Sequence, residues 1–118
     1  MTDTASQNPS QNNRGLDAPT QAKIRGVFGI LPAIEQAILY GSRAMGTYRP
    51  GSDIELTLKG HALNWRGLQQ LELALNDLLL PYCFDLSLYE QFDNPDLLGH
   101  IARVGIVFYD RDGQVSLR

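Results

Sequence analysis

The chain has 118 residues, 43% of them hydrophobic and 19% charged, which makes one small domain with a core of its own but no separate cofactor and substrate domains. No apolar run reaches membrane-spanning length, no basic-then-apolar leader opens the chain, and the single Cys83 cannot close an internal disulfide, so the expected setting is the cytoplasm. A formal net charge of −3 argues against broad electrostatic binding to nucleic acid.

Residues 1–17 are rich in Gln, Asn, Ser and Thr and bury too little apolar surface to offset their ordering entropy, so they are expected to form a flexible tail before a domain over residues 18–118. From Thr20, the expected cap, Ile24, Val27, Phe28 and Leu31 recur at helical spacing until Pro32. Ala37 to Tyr40 is a short apolar run that suits a buried strand, and it delivers the chain to a Gly41-Ser42 turn with a short helix from Arg43 to Gly46. Asp53 to Leu58 alternates, so Asp53, Glu55 and Thr57 share one strand face, toward water, while Ile54, Leu56 and Leu58 share the other.

After a connection at Gly60 to Asn64, Trp65, Leu68, Leu71, Leu75 and Leu78 mark a helix that ends before Pro81 and whose stripe is expected to be core. Cys83 to Tyr89 is a second alternating strand: Phe84, Leu86 and Leu88 face one way, Asp85 and Ser87 the other, and Cys83 is expected to be a small buried hydrophobe. Asn94 followed by Pro95 starts a helix with Leu97, Leu98 and Ile101 inward, and Gly105 stops it. Ile106 to Tyr109 is a last strand, and Asp112-Gly113 a turn. This alternation of helices and strands indicates an α/β or α+β layer fold.

The chemistry concentrates at the turn and the two acidic strands. A Gly-Ser turn lets backbone N–H groups approach a phosphate, and a helix opening behind it would point a positive dipole end at the same group. Asp85 joins Asp53 and Glu55 if their strands are neighbours. Three clustered carboxylates repel one another unless a divalent cation sits among them, and hard oxygen ligands suit Mg²⁺ carrying substrate phosphates. Phosphoryl or nucleotidyl transfer is the expected reaction class. Arg43 and Arg49 are candidate phosphate or acceptor contacts. His61 and His100 have no partners at ligand spacing and support no zinc site.

Gly41-Ser42, then Asp53-x-Glu55 after ten residues, then Asp85 on a later strand resembles the polymerase beta-type nucleotidyltransferase superfamily, most closely its minimal members, the MNT proteins. The resemblance extends over roughly Thr20 to Tyr109 and implies a small mixed sheet covered by helices. It implies that Gly41, Ser42 and Arg43 bind the triphosphate of ATP and that Asp53 and Glu55 ligate Mg²⁺. Asp85 would complete the metal site or take the acceptor's proton. Many MNT proteins act as antitoxins of an α-helical HEPN ribonuclease toxin, some by adding AMP to its tyrosine, so a HEPN-type partner and a hetero-oligomer, or a homo-oligomer, are implied. The family usually has Asp where Glu55 stands and commonly Arg at Met45, which leaves open a binding module that neutralises its partner by covering it. Aminoglycoside nucleotidyltransferases share the glutamate and keep a small-molecule acceptor open.

Overall fold

In the computed structural model, residues 14–113 are described; most of the expected tail lies outside them. The part that lies inside is held: Leu16 is fully buried, its carbonyl accepts from Gln21 Nε2 at 2.7 Å, and Asp17 caps the first helix, α1 (Ala18–Ile30). The cap is therefore Asp17, whose Oδ1 accepts from the Thr20 N–H at 2.9 Å, and not Thr20 itself. Ile24, Val27 and Phe28 form the buried stripe of α1, as their spacing predicts.

The chain continues through β1 (Gln36–Tyr40), the four-residue α2 (Ser42–Met45), β2 (Ile54–Lys59), α3 (Trp65–Asn76), β3 (Phe84–Leu88), a 3-10 turn (Tyr89–Gln91), α4 (Pro95–Val104) and β4 (Ile106–Asp110). The four strands form one mixed sheet in the order β3-β2-β1-β4. β1 pairs antiparallel with β2 and β4, and β2 pairs parallel with β3, the parallel pair being joined by the crossover helix α3 as such pairs require.

Alternation along the strands gives the sheet two faces. Ala37, Leu39, Ile54, Leu56, Leu58, Leu86 and Leu88 join Phe28 of α1 and Leu68, Leu71 and Leu75 of α3 in the larger core. Leu71 and Leu75 are 2% and 1% exposed, and a leucine at that depth contributes about 1.5–3 kcal/mol by leaving water. The β1–β4 register shifts between Ala37 and Ile38, whose partners are Tyr109 and Val107. Phe108 is thus the extra residue of a bulge, fully buried and edge-on to Phe28 at 6.2 Å.

On the other face Ile38 and Tyr40 pack with Ile101 of α4, flanked by Tyr89, Phe92 and Leu97. Asn94 fixes the start of α4 by accepting from the Asp96 N–H at 2.9 Å, and Gly105 caps its end. The face that bears the acids is consequently roofed in part by α4 and does not simply look at water: Thr57 is fully buried on it. Two further expectations fail. Trp65 is 57% exposed because it is the first residue of α3, before the stripe turns inward, and Cys83 is exposed because it precedes β3.

Candidate functional site

β1 carries Tyr40 to a position opposite Glu55 of β2, so the next residue must turn across the Glu55 side chain. Gly41 does so with φ 78° and ψ −154°, a backbone region essentially reserved for glycine. A Cβ there would overlap Glu55 Oε2 and lie 2.7 Å from its Cδ. The Gly-Ser turn and the carboxylate are therefore in direct apposition, which the sequence spacing alone does not state. α2 behind the turn is a single turn of helix, so its dipole is small.

The three acids gather from two elements. Glu55 and Asp85 are register partners in the parallel β2–β3 pair, with Leu56 and Leu86 next on the opposite face. Asp53 precedes β2 by one residue and shares the Glu55 side by alternation. Burial raises the Glu55 carboxyl above the ordinary carboxylate range, the charges of Asp85 and then Asp53 raise it further, and His100 partly offsets them. Burial likewise raises the neighbouring Tyr40 phenol, Ser87 offsets part of the rise, and Asp85 and Glu55 add to it.

Among the described residues no three His, Cys, Asp or Glu side chains are arranged to hold a metal ion as they stand. The donor set nevertheless fits a hard divalent cation. Partner residues on adjacent strands are roughly 4.8 Å apart, within reach of one ion by side-chain rotation, and a divalent cation would offset the mutual repulsion of the carboxylates. One pleat behind Glu55, the buried Thr57 Oγ1 has no hydrogen-bond partner.

Arg43 takes a different course from the one expected. Its side chain is 2% exposed and runs into the scaffold: Nη1 donates to the Arg14 carbonyl at 3.0 Å and Nη2 to the Ser52 carbonyl at 2.8 Å. The rings of Tyr48 and Tyr82 lie 5.3 and 5.1 Å from its Cζ. This guanidinium fixes the strand approach just before Asp53. Arg49 lies exposed beside the same approach, its N–H bonded to Ser52 Oγ at 2.8 Å. His61 stands apart, paired with Glu35 at 2.6 Å.

One site residue escapes sequence reasoning. His100, on α4, accepts a hydrogen bond at Nε2 from the Gly41 N–H at 3.2 Å across 59 residues of chain, and its ring meets Tyr40 edge-on at 6.2 Å. No local pattern announces a contact between elements so far apart in sequence.

Comparison with known proteins agrees with this fold. No curated protein matches the chain. Among solved structures, a toxin–antitoxin crystallised with AMP-PNP superposes with a TM-score of 0.63 at 20% identity, over 78% of this chain and 74% of that one. A mutant of the toxin–antitoxin MntA-HpeT gives 0.62 at 20% identity over the same shares. A protein from Sulfolobus solfataricus described as a nucleotidyltransferase gives 0.55 at 16% identity, over 100% and 97%. At such identities the likeness is one of fold. The family model for the polymerase beta nucleotidyltransferase domain matches residues 22–114, spanning the turn and all three acids; the chain belongs to the polymerase beta nucleotidyltransferase family.

Proposed function

We propose that the chain transfers AMP from ATP to a hydroxyl of a partner protein, with Mg²⁺ held by Asp53, Glu55 and Asp85, and that the partner is the HEPN-type toxin of a cytoplasmic toxin–antitoxin pair. The observation that carries this reading is the register of Glu55 with Asp85 directly beneath the Gly41 turn. It supplies both an anion cradle and hard oxygen donors within one side-chain length. The fold's likeness to toxin–antitoxin proteins, one of them crystallised with AMP-PNP, supports the nucleotide and the class of partner.

In this reading Gly41 and Ser42 orient the phosphates, and the acceptor oxygen attacks the α-phosphorus in line as pyrophosphate leaves. The hydroxyl proton passes to the Asp85 carboxylate, which is exposed at the mouth of the site. Magnesium, when bound, neutralises phosphate charge and steadies the entering and leaving oxygens. Arg43 acts from below by keeping Ser52, and so Asp53, in place.

The test is to incubate the chain with labelled ATP, Mg²⁺ and the product of the neighbouring gene. Label enters the partner with wild type and not with Asp53→Ala. Transfer that continues unchanged in that variant overturns the assigned role of Asp53, and absence of transfer with wild type overturns the activity. A second reading, a binding module that neutralises its partner by covering it, is favoured by the longer Glu55. It requires Asp53→Ala to protect against the partner as well as wild type does.

A further inference from the structure

We propose that His100 is a positioning residue of the phosphate turn: its imidazole fixes the Gly41 peptide so that the turn faces the nucleotide. This rests on the reading that the turn binds nucleotide phosphates.

The Gly41 N–H has little other choice of partner. Gly41 is buried, and its residue conformation is one that only glycine adopts freely. Glycine is also free to leave it, since nothing in a glycine backbone prefers that conformation over its alternatives. Something outside the turn must therefore select it. The hydrogen bond from Gly41 N–H to His100 Nε2, 3.2 Å long, does so from one side. On the other side the Gly41 carbonyl accepts from Met45 N–H at 3.1 Å.

His100 is itself fixed. The next residue, Ile101, anchors α4 among Ile38 and Tyr40, Asn94 and Gly105 cap the helix at its two ends, and the Tyr40 ring stands edge-on to the imidazole. The imidazole is thus a rigid acceptor presented from a separate element. It spans the gap between α4 and the end of β1, the side of the sheet where Glu55 and Asp85 lie. Accepting at Nε2 places the ring proton on Nδ1. With the Gly41 N–H taken by His100, the Ser42 N–H and hydroxyl are the groups the turn turns toward a phosphate.

The test uses three substitutions of His100 in the full chain. Glutamine carries its amide oxygen as many bonds beyond Cβ as histidine carries Nε2, so His100→Gln can restore the acceptor; His100→Asn falls short by one bond, and His100→Ala has none. The first measurement needs no nucleotide: amide hydrogen exchange of Gly41 by NMR. The expected result is a protected amide in wild type and in the Gln variant, with protection lost in the Ala and Asn variants. The second is the affinity for ATP with Mg²⁺ and the division of any activity change between KM and kcat. A hydrogen bond of ordinary net strength predicts affinity roughly five- to tenfold weaker in the Ala and Asn variants, with KM moving more than kcat, and recovery in the Gln variant. Unchanged or tighter binding in the Ala variant overturns the proposal, as does a loss that glutamine fails to recover. If wild type binds no nucleotide, the proposed transfer reaction falls. The exchange measurement then decides alone whether His100 holds the turn, and an unprotected Gly41 amide in wild type overturns it.

Discussion

Replacing Gly41 by alanine probes the apposition of turn and carboxylate directly. Two costs add. A non-glycine residue forced to φ 78°, ψ −154° loses about 1–3 kcal/mol. The new methyl group would also overlap Glu55 Oε2 and sit 2.7 Å from Cδ. Glu55 is only half-buried, so its carboxylate can swing aside at a rotamer cost of about 1 kcal/mol. The sum is about 2–4 kcal/mol, a large share of the roughly 5–15 kcal/mol that holds a domain folded. It corresponds to a fall in Tm on the order of 10–30 °C for a domain of this size. Thermal and urea unfolding followed by circular dichroism would measure it, in a cycle with Glu55→Ala. Removing the carboxylate relieves the overlap and leaves the backbone cost, so the double variant should recover about 1 kcal/mol relative to additivity. A loss below about 0.5 kcal/mol in Gly41→Ala, or single effects that add to within about 0.3–0.5 kcal/mol, would refute the argument.

Glu55→Gln addresses the raised carboxyl. Because burial and then Asp85 and Asp53 raise its folded value, the native state holds that proton more tightly than the unfolded chain does. Ionised Glu55 therefore weakens the fold above the folded value, and the weakness disappears as pH falls through it toward the unfolded value. The variant should be more stable than wild type at neutral pH, by less than about 1 kcal/mol given the group's solvent screening. The advantage should shrink on acidification in urea melts at successive pH values; an advantage constant across pH would contradict the assignment. Arg43→Met removes two charged hydrogen bonds and two ring contacts and should cost about 3–4 kcal/mol. Arg43→Lys keeps the charge without the fork and should recover less than half of this; full recovery by lysine, in the same urea melts, would mean that the fork geometry does not matter.

Much of the fold is legible in the sequence because an apolar core face opposite a polar face imposes alternation on β2 and β3, while β1, covered on both faces, reads as a continuous apolar run. Ile54, Leu56 and Leu58 against Glu55 and Thr57 fix β2 and its bounds to within one residue, and the leucine spacing fixes α3. What periodicity does not state is where a stripe begins. Trp65 fits the α3 spacing yet precedes the turn that faces the sheet. Leu16, a single apolar residue in a polar stretch, gives no pattern although it is fully buried. Spacing likewise places the three acids on compatible faces without showing that a helix roofs that side of the sheet. The directions of Arg43 and His100 depend on partners supplied by remote segments, Arg14 for the one and Gly41 for the other. Side-chain chemistry suggests a phosphate contact for the first and nothing for the second, whereas the first is bonded to the Arg14 and Ser52 carbonyls and the second to the Gly41 turn.

The parallel pairing of β2 with β3 also bears on how the domain assembles. The antiparallel β1–β2 pair draws on nearby chain, whereas β3 docks on β2 across the intervening α3. That docking carries the entropy of closing a long connection. It also brings Asp85 up to Glu55, so like charges meet as the edge strand closes. The pair of carboxylates is thus created by a non-local strand pairing. An activity that depends on both acids is therefore a read-out of edge-strand closure as much as of the residues themselves.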